Sequence, residues 1–133
     1  MVRTTTANGR YSPRNVGAIW ITTAQGAFVK TVERWAAARA NRLTKFISSA
    51  NSNIVDAVTS ATLSSHITHD RTWDLKNLMG CKIPPGSYLL NLEMTDKNGA
   101  GPTAAIPFTI TSSPMTLNLP DLSNFHDMLI DVK

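Results

Sequence analysis

The chain has 133 residues, a length that fits one domain with a substantial hydrophobic core. Hydrophobic residues make up 42% and charged residues 17%, a balance typical of a globular protein rather than of a disordered or coiled-coil chain. No apolar run approaches the roughly 20 residues of a membrane-spanning helix, and the opening residues lack the hydrophobic core of a signal peptide, so we expect neither in this chain.

The charges are distributed unevenly along the chain. The net charge is +4, but residues 1–45 contain eight Lys or Arg residues and a single acidic residue, Glu33, which makes this segment +7. The remaining 88 residues contain five basic and eight acidic residues, a balance of −3. This polarity is compatible with an anionic partner at the basic segment and also with a solvated basic face that serves solubility.

The first predicted elements are two strands. Residues 1–12 are predicted to be a flexible N-terminal arm of a single domain that spans residues 1–133. From Val16 to Ile21, apolar residues fall on both odd and even positions. A break follows at Gln25 and Gly26, and further apolar residues occur at Phe28, Val29 and Val32. This pattern predicts a buried strand, a turn and a second strand.

The apolar period changes at Glu33. In the Ala-rich stretch RWAAARANRLTKFI and just before it, one set of residues recurs at spacings of three and four. These residues are Val32, Trp35, Ala36, Arg39, Leu43, Phe46 and Ile47. This spacing predicts one inserted amphipathic helix over about residues 33–49, with Arg34 and Lys45 facing outward. An anionic partner would bind this basic face. Because Phe28, Trp35 and Phe46 fall on apolar positions, we expect them in the core and expect no nucleic acid as partner.

Strand signals return after His66. Tyr88 to Thr95 alternates as a half-buried antiparallel strand does. Thr103 to Ile110 alternates with Pro107 on the outward face, which predicts an edge strand or a bulge. Two short alternating segments follow, in MTLNL and HDMLIDV. Six or seven short strands with one inserted helix predict a mostly β fold, an antiparallel β-sandwich.

The stretch TWDLKNLMGCKIPPGSYLLNLE resembles the W-D-x5-G-x-x-[VIL]-P-x-G-x-Y pattern of Ig-like domains related to the flagellar hook-capping protein. The matching positions are Trp73, Asp74, Gly80, Ile83, Pro84, Gly86 and Tyr88. More widely, the stretches YSPRNVGAIWI, FVKTVERW, VDAVTSAT and WDL…PPGSY resemble, in this order, a family of predicted periplasmic proteins of unknown function. The resemblance implies an Ig-like sandwich outside the bacterial cytoplasm, periplasmic or secreted, with no known catalytic activity.

The residues of this pattern have a structural interpretation of their own. Trp73 would anchor one sheet face, and Gly80 and Gly86 would permit turn conformations. Pro84 would stiffen the connection before Tyr88. The alternative is a ligand-binding role for Trp73 or Tyr88.

The stretch VDAVTSATLSS, Val55 to Ser65, is similar to the D-x-x-[ST]-G-A-T motif of covalently flavinylated bacterial proteins. The matching residues are Asp56, Thr59, Ser60, Ala61 and Thr62, with Ser60 where the motif has Gly. In those families a Mg-dependent flavin transferase links FMN phosphate to the final threonine, so the resemblance implies a redox carrier with covalent FMN on Thr62. The alternative is a sandwich loop in which Asp56 and Thr59 hydrogen-bond to the backbone.

Other reactive residues form no convergent set of nucleophile, base and oxyanion donors. His66 and His69 are three residues apart and would fall on opposite faces of a strand, so we expect no metal site. Cys81 is the lone cysteine and is expected to be a plain turn thiol. The sequence therefore predicts a non-enzymatic structural or interaction module, whose partner is another protein or a second copy of the chain.

Overall fold

The part of the chain that the structure describes forms ten strands and one short helix. The computed structural model describes residues 1–6, 8–12, 14–36, 42–50, 58–60, 62–77, 79–97, 99, 101–122 and 124–132. In chain order the elements are β1 (Val2–Thr4), β2 (Val16–Thr23), β3 (Phe28–Trp35), α1 (Thr44–Ala50), β4 (Val58–Ser60), β5 (Thr68–His69), β6 (Gly86–Thr95), β7 (Thr103–Ile110), β8 (Met115–Asn118), β9 (Phe125–His126) and β10 (Leu129–Val132).

The largest sheet has five strands in the order β4-β3-β2-β6-β7. Its strands pair antiparallel except β3 and β4, which pair parallel. The central strand β2 carries apolar side chains on both of its faces because both faces are covered. Val16, Ala18 and Trp20 pack with the helix, and Ile19 and Ile21 pack on the opposite face. The predicted buried strand, turn and second strand are confirmed here.

Two smaller sheets cover the other face of the five-stranded sheet. One has the order β5-β1-β9, and the other is the antiparallel pair β10-β8. Val2, Phe125 and Met128 from this layer share a core cluster with Ile19 and Leu92 of the large sheet. The predicted mostly β sandwich is therefore confirmed, with the short helix outside the large sheet.

The prediction of a flexible N-terminal arm over residues 1–12 is wrong where β1 forms. Val2 and Thr4 are buried, and β1 is the central strand of its sheet. The buried Asp96 anchors the residues that follow: its carboxylate accepts hydrogen bonds from the Thr6 hydroxyl at 3.0 Å and the Gly9 N–H at 3.1 Å, and its carbonyl oxygen accepts one from the Tyr11 N–H at 2.9 Å. A strand of three residues is too short to show a period in the sequence.

The predicted helix over residues 33–49 is wrong in its first part. Strand β3 continues to Trp35, and α1 begins only at Thr44, while residues 37–41 lie outside the described part of the chain. Two register irregularities in the β2–β3 pairing explain the error. Glu33 lies opposite Ile19 but Thr31 opposite Trp20, which makes Val32 an extra residue on β3. Such bulges disturb the period of two, so the apolar positions of β3 imitate helical spacing.

The predicted basic helix face therefore does not form as one surface. Arg34 lies on β3 with its Nε buried, and Lys30 of the same strand is also buried. Lys45, on α1, is exposed. The predicted anionic partner loses the continuous helical surface on which it depended.

Helix α1 packs onto the outer face of the large sheet. The rings of Phe46 and Trp20 meet edge to face with centroids 5.4 Å apart, and Trp20 Nε1 donates a hydrogen bond to Ser49 Oγ at 3.0 Å. The buried Glu93 of β6 accepts hydrogen bonds from the N–H groups of Phe46 at 2.8 Å and Lys45 at 3.2 Å. A sheet carboxylate thus satisfies amide groups that the first turn of a helix leaves without intrahelical partners.

The last long strand, β7, forms one edge of the large sheet. Ala104, Phe108 and Ile110 are buried, whereas Pro107 is exposed. The predicted edge strand with an outward proline is confirmed. No helix in the described part of the chain is long and apolar enough to cross a membrane.

Candidate functional site

A cavity of about 650 Å³ lies between the large sheet and the two smaller sheets. Apolar side chains from both layers line it, among them Ile19, Ile21, Leu90, Phe108, Leu129 and Ile130. This volume and this lining are typical of sites for small organic molecules, which remove most of a ligand's apolar surface from water. The cavity is the strongest candidate for a binding site.

Exposed charged side chains stand where the cavity meets solvent. Asp70, Arg71, Asp74 and Lys82 come from the connection between β5 and β6, and Asp131 comes from β10. Three acidic and two basic groups nearly balance, so this rim gives no strong electrostatic preference for a highly charged ligand.

His69 of β5 is the most buried of the polar residues around the cavity, and its side chain has no exposed surface there. Its Nδ1 lies 2.8 Å from Glu33 Oε1, and the two side chains are 0% and 1% exposed. The other oxygen, Glu33 Oε2, lies 2.9 Å from Arg71 Nε. A carboxylate oxygen only accepts, so Nδ1 of His69 carries the hydrogen of this bond.

The ring of His69 is also held on its face. It stacks on the indole of Trp35 with centroids 3.9 Å apart and an interplanar angle of 25°. Trp35 Nε1 donates a hydrogen bond to Asn15 Oδ1 at 2.8 Å, and Asn15 Nδ2 donates one to the Ser65 carbonyl at 3.0 Å. These contacts fix the imidazole, while its Nε2 is buried and has no hydrogen-bond partner among the described residues.

His66 occupies a different environment from His69. It lines a second cavity of about 480 Å³ with Thr4, Thr6 and Ser12. His66 Nδ1 lies 3.0 Å from Thr4 Oγ1, and its Nε2 lies 3.8 Å from Asp96 Oδ2. Burial lowers the pKa of His66, and the nearby Asp96 opposes that shift. Within the described ranges, no three His, Cys, Asp or Glu residues form a group that could hold a metal ion.

The residues predicted for flavin attachment are only partly described. Thr59 and Ser60 belong to β4 and pair with Arg34 and Trp35 of β3. Thr62 follows this edge strand and is partly exposed. Asp56 and Ala61 lie outside the described residues. The flavin-attachment site therefore stays a prediction.

Trp73 and Asp74, from the Ig-like pattern, lie at the cavity. Trp73 Nε1 donates a hydrogen bond to the Lys76 carbonyl at 2.9 Å, and Asp74 Oδ1 accepts one from the Lys76 N–H at 3.1 Å. Both side chains line the cavity. Two residues of the Ig-like pattern therefore form part of the cavity wall.

The remaining residues of the pattern shape the connection into β6. Gly80 has a φ of 81°, a conformation that favours glycine, in a turn where the Asn77 N–H donates to the Cys81 carbonyl at 2.8 Å. Tyr88 Oη donates a hydrogen bond to the Pro84 carbonyl at 2.6 Å. Gly86 begins β6 between them.

Sequence reasoning missed Glu33 and Arg71. The apolar spacing places Glu33 in the first turn of a helix, whereas the structure places it on β3, where it contacts His69. One signal was present: Glu33 is the only acidic residue of the basic first third. A single acid in such a segment is a candidate for a buried ion pair.

Comparison with known families gives one match. A family model described as "Predicted periplasmic protein (DUF2271)" matches residues 2–120. Neither a curated protein nor a solved structure matches the chain. The expected location outside the cytoplasm is confirmed by the description of the family, while the Ig-like relationship stays a prediction.

Proposed function

We propose that this chain, which belongs to the DUF2271 family of predicted periplasmic proteins, is a periplasmic binding module without catalytic activity of its own. The ligand is a small, mainly apolar molecule that enters the cavity between the sheets. One observation carries this proposal: a space of about 650 Å³ lined by apolar side chains of both layers. Filling it with an apolar ligand would remove that surface from water.

The rim supports an uncharged ligand. Asp70, Asp74 and Asp131 face the same opening as Arg71 and Lys82. A strongly anionic molecule would meet the three carboxylates, and a strongly cationic one would meet the two basic groups. An uncharged molecule meets neither repulsion.

Two neighbouring side chains of the large sheet offer a matched test. Leu90 of β6 lines the cavity, whereas Ile106, its cross-strand partner on β7, does not. Both are partly buried. Leu90→Phe adds volume inside the cavity, and Ile106→Phe makes a similar change beside it.

The probe is the neutral dye N-phenyl-1-naphthylamine, whose fluorescence rises in apolar surroundings. We expect a rise with the wild-type protein, a much smaller rise with Leu90→Phe and a nearly wild-type rise with Ile106→Phe. Absence of the rise in the wild type, or equal rises in both variants, would contradict a ligand site in this cavity.

A second candidate function is a redox carrier with covalent FMN on Thr62. The observation that favours it is the position of Thr62, partly exposed just after an edge strand, where a bulky group could approach its hydroxyl. The adduct would be a phosphoester between Thr62 Oγ1 and the FMN phosphate. Asp56, Thr59, Ser60 and Ala61 would form the sequence that the transferase recognises.

Coexpression with a periplasmic flavin transferase tests this candidate. Flavinylation predicts a yellow protein whose mass rises by one FMN minus water, and Thr62→Ala should abolish the rise. Ser60→Gly is the matched control, because it restores the glycine of the motif without touching the acceptor. If Ser60→Gly with the transferase also gives an unmodified protein, the carrier function is refuted.

A further inference from the structure

We propose that Trp73 is the stacking surface of the cavity between the sheets and that the ligand is a flat, uncharged aromatic molecule whose ring lies against the indole. The inference rests on the binding function proposed above. It adds to that function the class of the ligand and the residue that selects it.

Trp73 is the tryptophan that a ligand can reach. The chain has three tryptophans, and Trp20 and Trp35 are only 0% and 1% exposed, whereas Trp73 is partly exposed and lines the cavity. Its side chain also packs against the core cluster that contains Ile21 and Phe108, which line the same cavity. The indole is therefore part of the cavity wall and keeps surface that a ligand can contact.

The polar group of the indole is already used inside the protein. Trp73 Nε1 donates a hydrogen bond to the Lys76 carbonyl at 2.9 Å, and an indole has no other hydrogen-bonding group. The surface left for a ligand is that of the aromatic ring. Aromatic rings attract each other in stacked and edge-to-face arrangements beyond what burial from water alone provides.

The loop that carries Trp73 is held in place before any ligand arrives. Lys76 pairs with Lys82 in a β-bridge, and the Ile83 N–H donates a hydrogen bond to the Leu75 carbonyl at 2.8 Å. Leu75 has a φ of 60°, a conformation that is uncommon for a residue other than glycine and persists only where surrounding contacts impose it. An indole fixed in advance loses less conformational entropy on binding.

Arg71 adds a second preference for an aromatic ring. It lines the cavity, its side chain is 36% exposed, and its Nε lies 2.9 Å from Oε2 of the buried Glu33. A planar guanidinium group stacks on aromatic faces, and this attraction requires no charge on the ligand. An aromatic ring without charge thus fits both Arg71 and the nearly balanced rim.

Two alcohols with the same carbon skeleton test the inference on the intact protein. 2-Naphthol is flat and aromatic, and decahydro-2-naphthol is its saturated counterpart. The saturated alcohol has at least as much apolar surface, so burial alone gives no preference for 2-naphthol. We expect 2-naphthol to bind about fivefold more tightly in isothermal titration calorimetry.

Two substitutions at Trp73 form a matched pair. Trp73→Phe and Trp73→Leu both lose the hydrogen bond to the Lys76 carbonyl, but only Trp73→Phe keeps an aromatic ring. We expect Trp73→Phe to retain most of the preference for 2-naphthol and Trp73→Leu to lose it. A preference that survives in Trp73→Leu would overturn the inference.

A second measurement needs no variant. In ¹H NMR of the wild-type protein, the ring protons of Trp73 should shift upfield when 2-naphthol is added, because a stacked aromatic ring shields them. Unchanged Trp73 signals beside shifted Leu90 methyl signals would contradict stacking on Trp73.

The outcomes separate this inference from the binding function. Equal affinities for the two alcohols, both weakened by Leu90→Phe, would refute the role of Trp73 and leave the cavity as a binding site. Failure of both alcohols and of the neutral dye to bind would refute both.

Discussion

At the scale of single residues, buried titratable groups make the stability of the fold depend on pH. Burial lowers the pKa of His66 below its ordinary value of 6.5. The neutral ring therefore stabilises the folded state fully above pH 6.5, and this contribution is lost as the pH falls through the lower folded-state pKa. We expect the wild type to lose more stability than His66→Asn between pH 7.5 and about 5 in urea unfolding. Equal losses in the two proteins would show that His66 is not held neutral by burial.

The contribution of Glu93 to stability depends on pH in the opposite direction. Burial raises its pKa above 4.5, although the N–H groups of Phe46 and Lys45 oppose the shift. Its contribution to stability is complete below pH 4.5 and is lost as the pH rises through the folded-state pKa. The free energy of unfolding of the wild type, relative to Glu93→Gln, should therefore increase as the pH falls from about 7 to about 5. A constant or decreasing difference would contradict this assignment.

At the scale of elements, β2, β6 and β7 were predictable because their apolar residues alone define them. β2 carries apolar side chains on both faces, and in β7 inward apolar side chains alternate with outward ones, among them Pro107. β3 was only partly predictable, because an extra residue at Val32 disturbs its alternation and Trp35 then falls on a helical period. The cavity was not predictable, because the side chains that line it, such as Leu90 of β6 and Ile130 of β10, come together only through the stacking of the sheets.

The β2–β3 packing can be tested at Gly17. A Cβ atom at this position would overlap the indole ring of Trp35 and would lie 2.7 Å from the Glu93 carbonyl oxygen. Gly17→Ala should therefore reduce the free energy of unfolding by about 1–3 kcal/mol, the usual cost of overpacking. Gly99→Ala is the matched control, because the nearest atom to a Cβ there is Lys97 Cε at 4.0 Å. A Gly17→Ala protein as stable as the control in urea unfolding would refute this close packing.

At the scale of the whole molecule, the three-stranded sheet joins residues from both ends of the chain. Arg3 of β1 pairs with His126 of β9 on one side and with Thr68 of β5 on the other. Val2 is buried, whereas Arg3 is exposed and forms an ion pair with Asp127. The first residues therefore complete the sandwich.

The alternation of β1 gives a matched pair of variants. Val2→Ala removes buried methyl groups and should lower the free energy of unfolding by about 1–2 kcal/mol. Arg3→Ala removes only an exposed ion pair and should cost less than about 1 kcal/mol. Chemical unfolding of the two variants distinguishes a packed strand from a mobile arm, for which both changes would be neutral.

The central claim is that the space between the sheets binds a small molecule. Nuclear Overhauser effects between N-phenyl-1-naphthylamine and the side-chain methyl groups of the full chain test it most directly. We predict effects to Ile21, Leu90 and Ile130, which line the cavity from opposite layers. Effects confined to exposed side chains such as Met79 and Leu122, or none at all, would contradict the claim.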